Sequence, residues 1–386
     1  MISGRELYRI SERLALALNT CDVPFGGLNM IFAGDFAQLP PPIGHESGAL
    51  YSLTSALDPT DKKQQTSAIG KALWHQITTV VLLRQIMRQT GQSKDEVDFR
   101  SALANLRYKA CTTEDLKHIR KRVHSKLPGR PKVTDHEFKN VAVITAWNVH
   151  KDVMNDIGTK RFALETGQSL HVFFSNDILD ANADVHTEKG RKKRCHFSNI
   201  PSDDIQNQLW NIPPSCNNRN MPGKLVICLG LPVMIRTNIA TELCMTKGQE
   251  GTITGWTYTL GNKNQRVLDT VFVKLTDPPQ TIQFDNLPEN VVPVIRTTAA
   301  ISCLLSNDQT IAVSRTQVEI VANFAMTDFA SQGKTRSTNV VHLNYCKSHQ
   351  AVYTALSRGK SYAKTLIIQG FEKKHFQGGC SGVLRQ

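Results

Sequence analysis

Residues 26–42 read GGLNMIFAGDFAQLPPP, and no other segment restricts the fold as much. The apolar run 28–33 leaves a Gly-Gly pair and stops at Gly34-Asp35. That pattern predicts a short buried strand whose end feeds a loop stiffened by Pro40, Pro41 and Pro42. Open α/β sheets gather ligand-binding groups at this edge. Gly34 would permit close backbone approach, Asp35 can accept backbone or water hydrogens, and Gln38 can contact a terminal phosphate and its attacking water. Taken alone, an ordinary strand and turn running into a proline-rich loop would read the same way.

The surrounding pattern favours an α/β sheet. Ser3 and Glu6 form a capping box for a helix with Leu7, Ile10, Leu14 and Ala17 at helical spacing. A helix is expected at 67–76 and a strand at 79–83. Ser93 and Glu96 form a second capping box, opening a helix with Val97, Phe99, Leu103 and Leu106 inward; Leu116, Ile119 and Val123 mark another. A strand at 140–145 precedes a helix carrying Val149, Val153 and Ile157. Strands alternating with helices imply a layered domain with a mainly parallel sheet.

Residues 175–222 lack clear periodicity, contain the basic run 189–194, and read as a long loop or insertion. From 224 to about 317, short β-rich segments (225–229, 233–237, 252–258, 267–275) alternate with Gly, Asn and Pro turns, as in a small barrel. After 317 the α/β pattern returns, with strands near 318–323, 340–344 and 365–369 and a helix at 348–358. A β-domain inserted into an α/β-domain is the simplest organisation.

Charge and cysteine usage narrow the class. Lys and Arg number 46 against 33 Asp and Glu, a net charge of +13. Such an excess suits a polyanion partner, since each neutralised phosphate releases condensed counterions; a basic solvated surface is the plainer alternative. Nine scattered cysteines without a CxxC pair imply reduced thiols in an intracellular setting. His186, Cys195, His196 and Cys216 fit no common zinc spacing, so no metal site is expected. No run reaches the roughly 18–20 apolar residues of a membrane helix, no membrane partner is expected, and the mixed-charge stretch 1–14 does not read as a secretory leader.

Three further segments follow in order: LRQIMRQ with Arg88, AMTDFASQG at 325–333, and AVYTALSR ending at Arg358. An isolated Arg is usually a surface ion pair. The four segments together resemble the Pif-type (petite-integration-frequency) DNA helicases, relatives of the RecD-type motors, and especially their divergent fungal members, including those of rolling-circle transposons. GDFAQLPP matches the family's motif III, the segment at Arg88 motif IV with Met87 replacing the usual Phe, TDFASQG motif V, and YTALSR motif VI. GLPVMIRTN at 230–238 and KGQEG at 247–251 are similar to the family's small Src-homology-like barrel.

The resemblance implies a RecA-like helicase core: a truncated first RecA-like domain at 1–82, a second split between 83–222 and 318–386, and an inserted small β-barrel at 223–317. It implies that Gln38 senses the γ-phosphate with Asp35 in support, and that Arg88 and Arg358 act as arginine fingers. Gln332 and Gly333 would couple nucleotide state to DNA grip, with Thr327 and Ser331 at the DNA. Phe329-Ala330 replaces the family's usual His-Lys, and packing is the expected role of Phe329.

ATP and Mg²⁺ are the implied cofactors and single-stranded or forked DNA the implied partner, in the nucleus rather than the mitochondrion. ATP-dependent 5′→3′ unwinding in repair, recombination or telomere maintenance is the implied activity. No GxxxxGK[ST] occurs; Gly333-Lys334-Thr335 lies inside motif V, and no Asp-Glu pair follows an apolar strand. The chain is therefore expected to begin just after the Walker B element, with the missing N-terminal motor segment as a further partner. The alternative is a catalytically dead nucleic-acid-binding fragment or transposon-derived relic.

Overall fold

The computed structural model describes residues 2–42, 47–52, 61–179 and 200–385. In chain order its main elements are α1 (Gly4–Ala17), α2 (Lys62–Trp74), α3 (Lys94–Arg107), α4 (Thr113–Arg120), β1 (Val143–Thr145), α5 (Asn148–Thr166), β2 (His171–Phe174) and β3 (Asn176–Leu179). There follow α6 (Asp203–Asn211), β4 (Lys224–Ile227), β5 (Pro232–Ile235), β6 (Glu250–Leu260), β7 (Arg266–Leu275), β8 (Val291–Leu304), β9 (Thr310–Val318) and β10 (Ile320–Ala322). The last group is β11 (Ala325–Thr327), α7 (Asp328–Ser331), β12 (Asn339–His342), α8 (His349–Leu356), β13 (Thr365–Ile367) and α9 (Gly382–Arg385). They form two compact units, one of residues 1–139, 144–146 and 331–386, the other of 140–143 and 147–330.

In the first unit β12 and β13 pair in parallel, with Asn339 opposite Thr365 and Val341 opposite Ile367. The capping box at Ser3 and Glu6 forms as expected and starts α1. α1 meets α2 so closely that a Cβ on Gly70 would stand 1.7 Å from the Gly4 carbonyl oxygen. Only two backbones stripped of side chains can approach this far. Half of the second capping box forms: the Ser93 hydroxyl accepts from the Glu96 N–H. The Glu96 carboxylate is instead drawn to the Ser361 hydroxyl (2.7 Å) and the Tyr362 N–H (2.8 Å), tying α3 to the turn after α8.

Two expected strands are not strands. Residues 28–33 and 79–83 join no ladder. In the first, Met30 and Phe32 pack on the α1–α2 cluster while Ile31 is 96% exposed. In the second, Val80, Val81, Leu82 and Leu83 are 72–93% exposed. Apolar runs become strands only when a neighbour satisfies their backbone groups, and none of the described residues does so here.

The second unit holds a seven-stranded sheet in the order β10-β5-β6-β7-β8-β9-β3, antiparallel throughout. With the β2–β4 pair it encloses an apolar core that includes Phe173, Leu231, Ile253, Val271, Val292 and Val318. The segment expected as a loop from 175 begins with β3 and later forms α6, started by the Ser202 hydroxyl. A buried network explains this order: Asp177 receives both arms of Arg315 (2.8 and 2.9 Å) and the side chains of Ser175 and Gln206. The basic run 189–194, together with His186, Cys195 and His196, lies outside the described residues.

α5 is inverted relative to expectation. Val149, Val153 and Ile157 are 54–59% exposed, and the packed face is Asn155, Gly158, Thr159 and Ala163. Asn155 causes the inversion. Its side chain accepts from the N–H groups of Phe324 and Ala325 and donates to the Ala325 carbonyl. Gly158 leaves the room that Phe324 fills, since a Cβ there would stand 2.4 Å from the ring. No helix among the described residues is long and apolar enough to cross a membrane.

Candidate phosphate-facing site

The loop after residue 33 is shaped by Asp35. Its Oδ1 accepts from the Ala37 N–H (3.0 Å), its Oδ2 from the Gln38 side-chain amide (3.1 Å), and its carbonyl from the Gln38 N–H (3.1 Å). Arg107, at the end of α3, completes the carboxylate with a 2.7 Å ion pair. The Gln350 amide on α8 holds the same loop through the Phe36 carbonyl (3.0 Å).

Arg88 and Arg358 converge in this unit. Arg88 donates to the Thr335 hydroxyl (3.0 Å) and the Ser357 carbonyl (2.9 Å). Arg358, 2% exposed, donates to the Thr354 carbonyl and the Ser357 hydroxyl, both at 2.9 Å. Gln89 fastens this strand of chain to the Gly359 carbonyl (2.7 Å). Among the described residues neither arginine has a carboxylate within ion-pair distance. Burial first, and the Arg88 cation second, pull the Arg358 guanidinium down to about 10, partly opposed by Tyr353 and Asp35.

Two cations pressed together without counterions form a site that an anion would stabilise. One face of α8 adds to it. Thr354 and Arg358 stand four residues apart, and the Thr354 hydroxyl, a possible donor, is buried without a hydrogen bond. The arrangement suits the oxygens of a phosphate chain. It does not suit a divalent cation: both Asp35 oxygens are engaged, and no group of three His, Cys, Asp or Glu side chains among the described residues could hold a metal.

Of the residues expected from sequence, Asp35, Gln38, Arg88 and Arg358 all lie in the first unit, as do Gln332 and Gly333. Gly333 has φ +84°, closing the turn in which the Lys334 N–H donates to the Ser331 carbonyl. Ser331 is fully buried, so its side chain cannot meet DNA directly while α7 is intact. Thr327, in the second unit, accepts from the Ala330 N–H and starts α7. Phe329 is 42% exposed rather than packed, because Asp328 and Ser331 take the inward side of this short helix.

Sequence reasoning missed Arg107 and Thr335. Arg107 reads as a favourable basic residue in a last helical turn, and Thr335 as part of a rejected phosphate-binding motif; neither carries a signal for its partner.

These features define an α/β unit and a unit built on a seven-stranded antiparallel sheet, a fold shared with solved Pif1 helicase structures. No family model matches the sequence. The structure is similar to Pif1 helicase from Candida albicans, with TM-score 0.59 and 19% identity over 100% of this chain and 74% of that one. It is also similar to Pif1 helicase from Bacteroides in complex with ADP-AlF3 and ssDNA, with TM-score 0.60 and 17% identity over 98% of this chain and 70% of that one. Among curated proteins it is 23% identical, over 92% of its length and 68% of the relative's, to the uncharacterized protein 030L of Invertebrate iridescent virus 6.

Proposed function

We propose that this chain is the C-terminal part of an ATP-dependent, 5′→3′ DNA helicase of the Pif type, and that Arg88, Arg358 and Gln38 face the γ-phosphate. The observation that carries the reading is the pair of guanidiniums with no carboxylate within ion-pair distance among the described residues, both fastened to Ser357, in the unit that holds the Asp35–Gln38 loop. Arginines so placed stabilise charge on a transferring phosphoryl group and can contribute on the order of 10³–10⁵ in rate. Gln332 and Gly333 would pass the nucleotide state to the DNA-gripping segment at Thr327 and Ser331. The Pif1 structure from Bacteroides holds ADP-AlF3 and ssDNA, which supports nucleotide and single-stranded DNA as the ligands.

The P-loop and the Mg²⁺ carboxylates are not among these 386 residues, so the reading requires a further motor segment. The run at 80–83 supports it, since its apolar side chains are exposed and it pairs with no strand among the described residues. The second reading, a binding chain without turnover, rests on the same absence of a P-loop.

One experiment separates them. Single-stranded DNA affinity is measured from 50 to 200 mM salt, and DNA-stimulated ATP hydrolysis is measured on the chain alone and joined to a segment bearing GxxxxGK[ST]. The helicase reading expects salt-dependent binding by both, turnover only by the joined form, and loss of turnover with Arg358→Ala while DNA binding persists. Turnover indifferent to Arg358→Ala would remove it from the site, and salt-independent affinity would contradict a phosphate-tracking groove. DNA binding without turnover in either form would establish the second reading.

A further inference from the structure

We propose that Arg107 is a positioning residue for Gln38: acting through Asp35, it fixes the carboxamide with its nitrogen toward the carboxylate and leaves Oε1 as the free acceptor. The proposal rests on the phosphate-facing reading of Gln38 and adds what decides its orientation. A glutamine amide is chemically two-sided, offering two donors on nitrogen and two acceptor sites on oxygen. An ionised carboxylate only accepts. Asp35 Oδ2 therefore takes Nε2 of Gln38 at 3.1 Å, and the same oxygen is held by Arg107 at 2.7 Å.

Arg107 suits that task. Opposing the cost of burial, Asp35 and the Tyr353 hydroxyl hold its guanidinium firmly in the charged form. It reaches the loop from α3 while Gln350 holds the Phe36 carbonyl from α8, so the loop is referenced to two helices. Gln38 Oε1 makes no hydrogen bond among the described residues. A correctly turned amide thus presents an acceptor where an attacking water would need one, and an amide turned over would present a donor.

The test reads the amide itself. The full chain is labelled with ¹⁵N-glutamine, and the Gln38 side-chain signal is assigned by its loss in Gln38→Asn. In the native chain and in Arg107→Lys, its amide protons should exchange with water about tenfold or more slower than in Arg107→Gln, the protection expected of a hydrogen bond to a charged group. The Gln89 amide, bonded to Gly359 and Ser357, reports whether the unit is folded.

Equal Gln38 exchange in the native chain and Arg107→Gln, with Gln89 unchanged, would overturn the proposal. Should Arg107→Gln also disturb Gln89, Arg107→Met decides with Asp35 left in place: lost protection at Gln38 supports the relay, and retained protection overturns it. Addition of inorganic tripolyphosphate probes the underlying reading separately. A native Gln38 signal that never moves with tripolyphosphate counts against the phosphate-facing site, while the exchange rates still judge Arg107.

Discussion

Replacing Arg358 by methionine should stabilise the folded chain and, in the same stroke, remove its response to polyphosphate. Arg358 is 2% exposed, has no carboxylate within ion-pair distance among the described residues, and is pulled well below the ordinary guanidinium value, to about 10. A drop of that size corresponds to about 3 kcal/mol of penalty for keeping the group charged. Because the folded value is the lower one, the unfolded chain binds the extra proton only above pH 10. The penalty is therefore fully present at neutral pH and lifts as pH rises from about 10 toward the unfolded value.

Methionine removes that penalty but also the hydrogen bonds to the Thr354 carbonyl and Ser357 hydroxyl, roughly 1 kcal/mol each. The net expectation is a gain of about 1 kcal/mol in urea unfolding at pH 7. Tripolyphosphate at a hundredfold excess over its dissociation constant should stabilise the native chain by about 2.7 kcal/mol and the variant far less. A variant less stable than the native chain by 1 kcal/mol or more, or an equal polyphosphate gain in both, would refute the argument that Arg358 awaits an anion.

Other expectations concern the two units separately. Asp177→Ala strands Arg315 in the interior of the second unit and should cost about 3–5 kcal/mol in urea unfolding, whereas Asp177→Leu with Arg315→Met should be far milder. His349, buried and near Lys109 and His375, is pushed down to about 4. Below pH 6.5 the unfolded chain takes up the proton first, so stability should fall toward pH 4 by at most about 3 kcal/mol, less to the extent that water screens the ring. His349→Gln should flatten that slope in urea unfolding. Gly70→Ala drives a methyl group into the Gly4 carbonyl and should destabilise by roughly 1–3 kcal/mol, measured by thermal unfolding.

Much of the first unit was legible along the chain. The capping signals at Ser3 and Ser93, the alternation after residue 317, and the local turn of Asp35 onto Ala37 and Gln38 all depend on residues within a few positions of one another. Such interactions survive any tertiary context that leaves the segment exposed to its own neighbours. The β-segments between 224 and 275 were likewise readable, because Gly, Asn and Pro punctuate them. β8 and β9 were not, since fourteen residues with Pro293 inside gave no clear strand boundary.

What the linear order could not contain is choice of partner. A helical stripe says that α5 has two faces, but Asn155 and Gly158, by fitting the backbone and ring at residue 324, decided which one packs. An apolar run says that a strand is possible, but 28–33 and 79–83 stayed outside any ladder because hydrogen bonds need a second chain segment at about 5 Å. The sequence by itself placed a carboxylate, a carboxamide and two guanidiniums in order. Only the tertiary structure brought Arg88 and Arg358 to one serine and gave Asp35 its counterion in Arg107, because charge pairing over 72 residues is a property of distance in space.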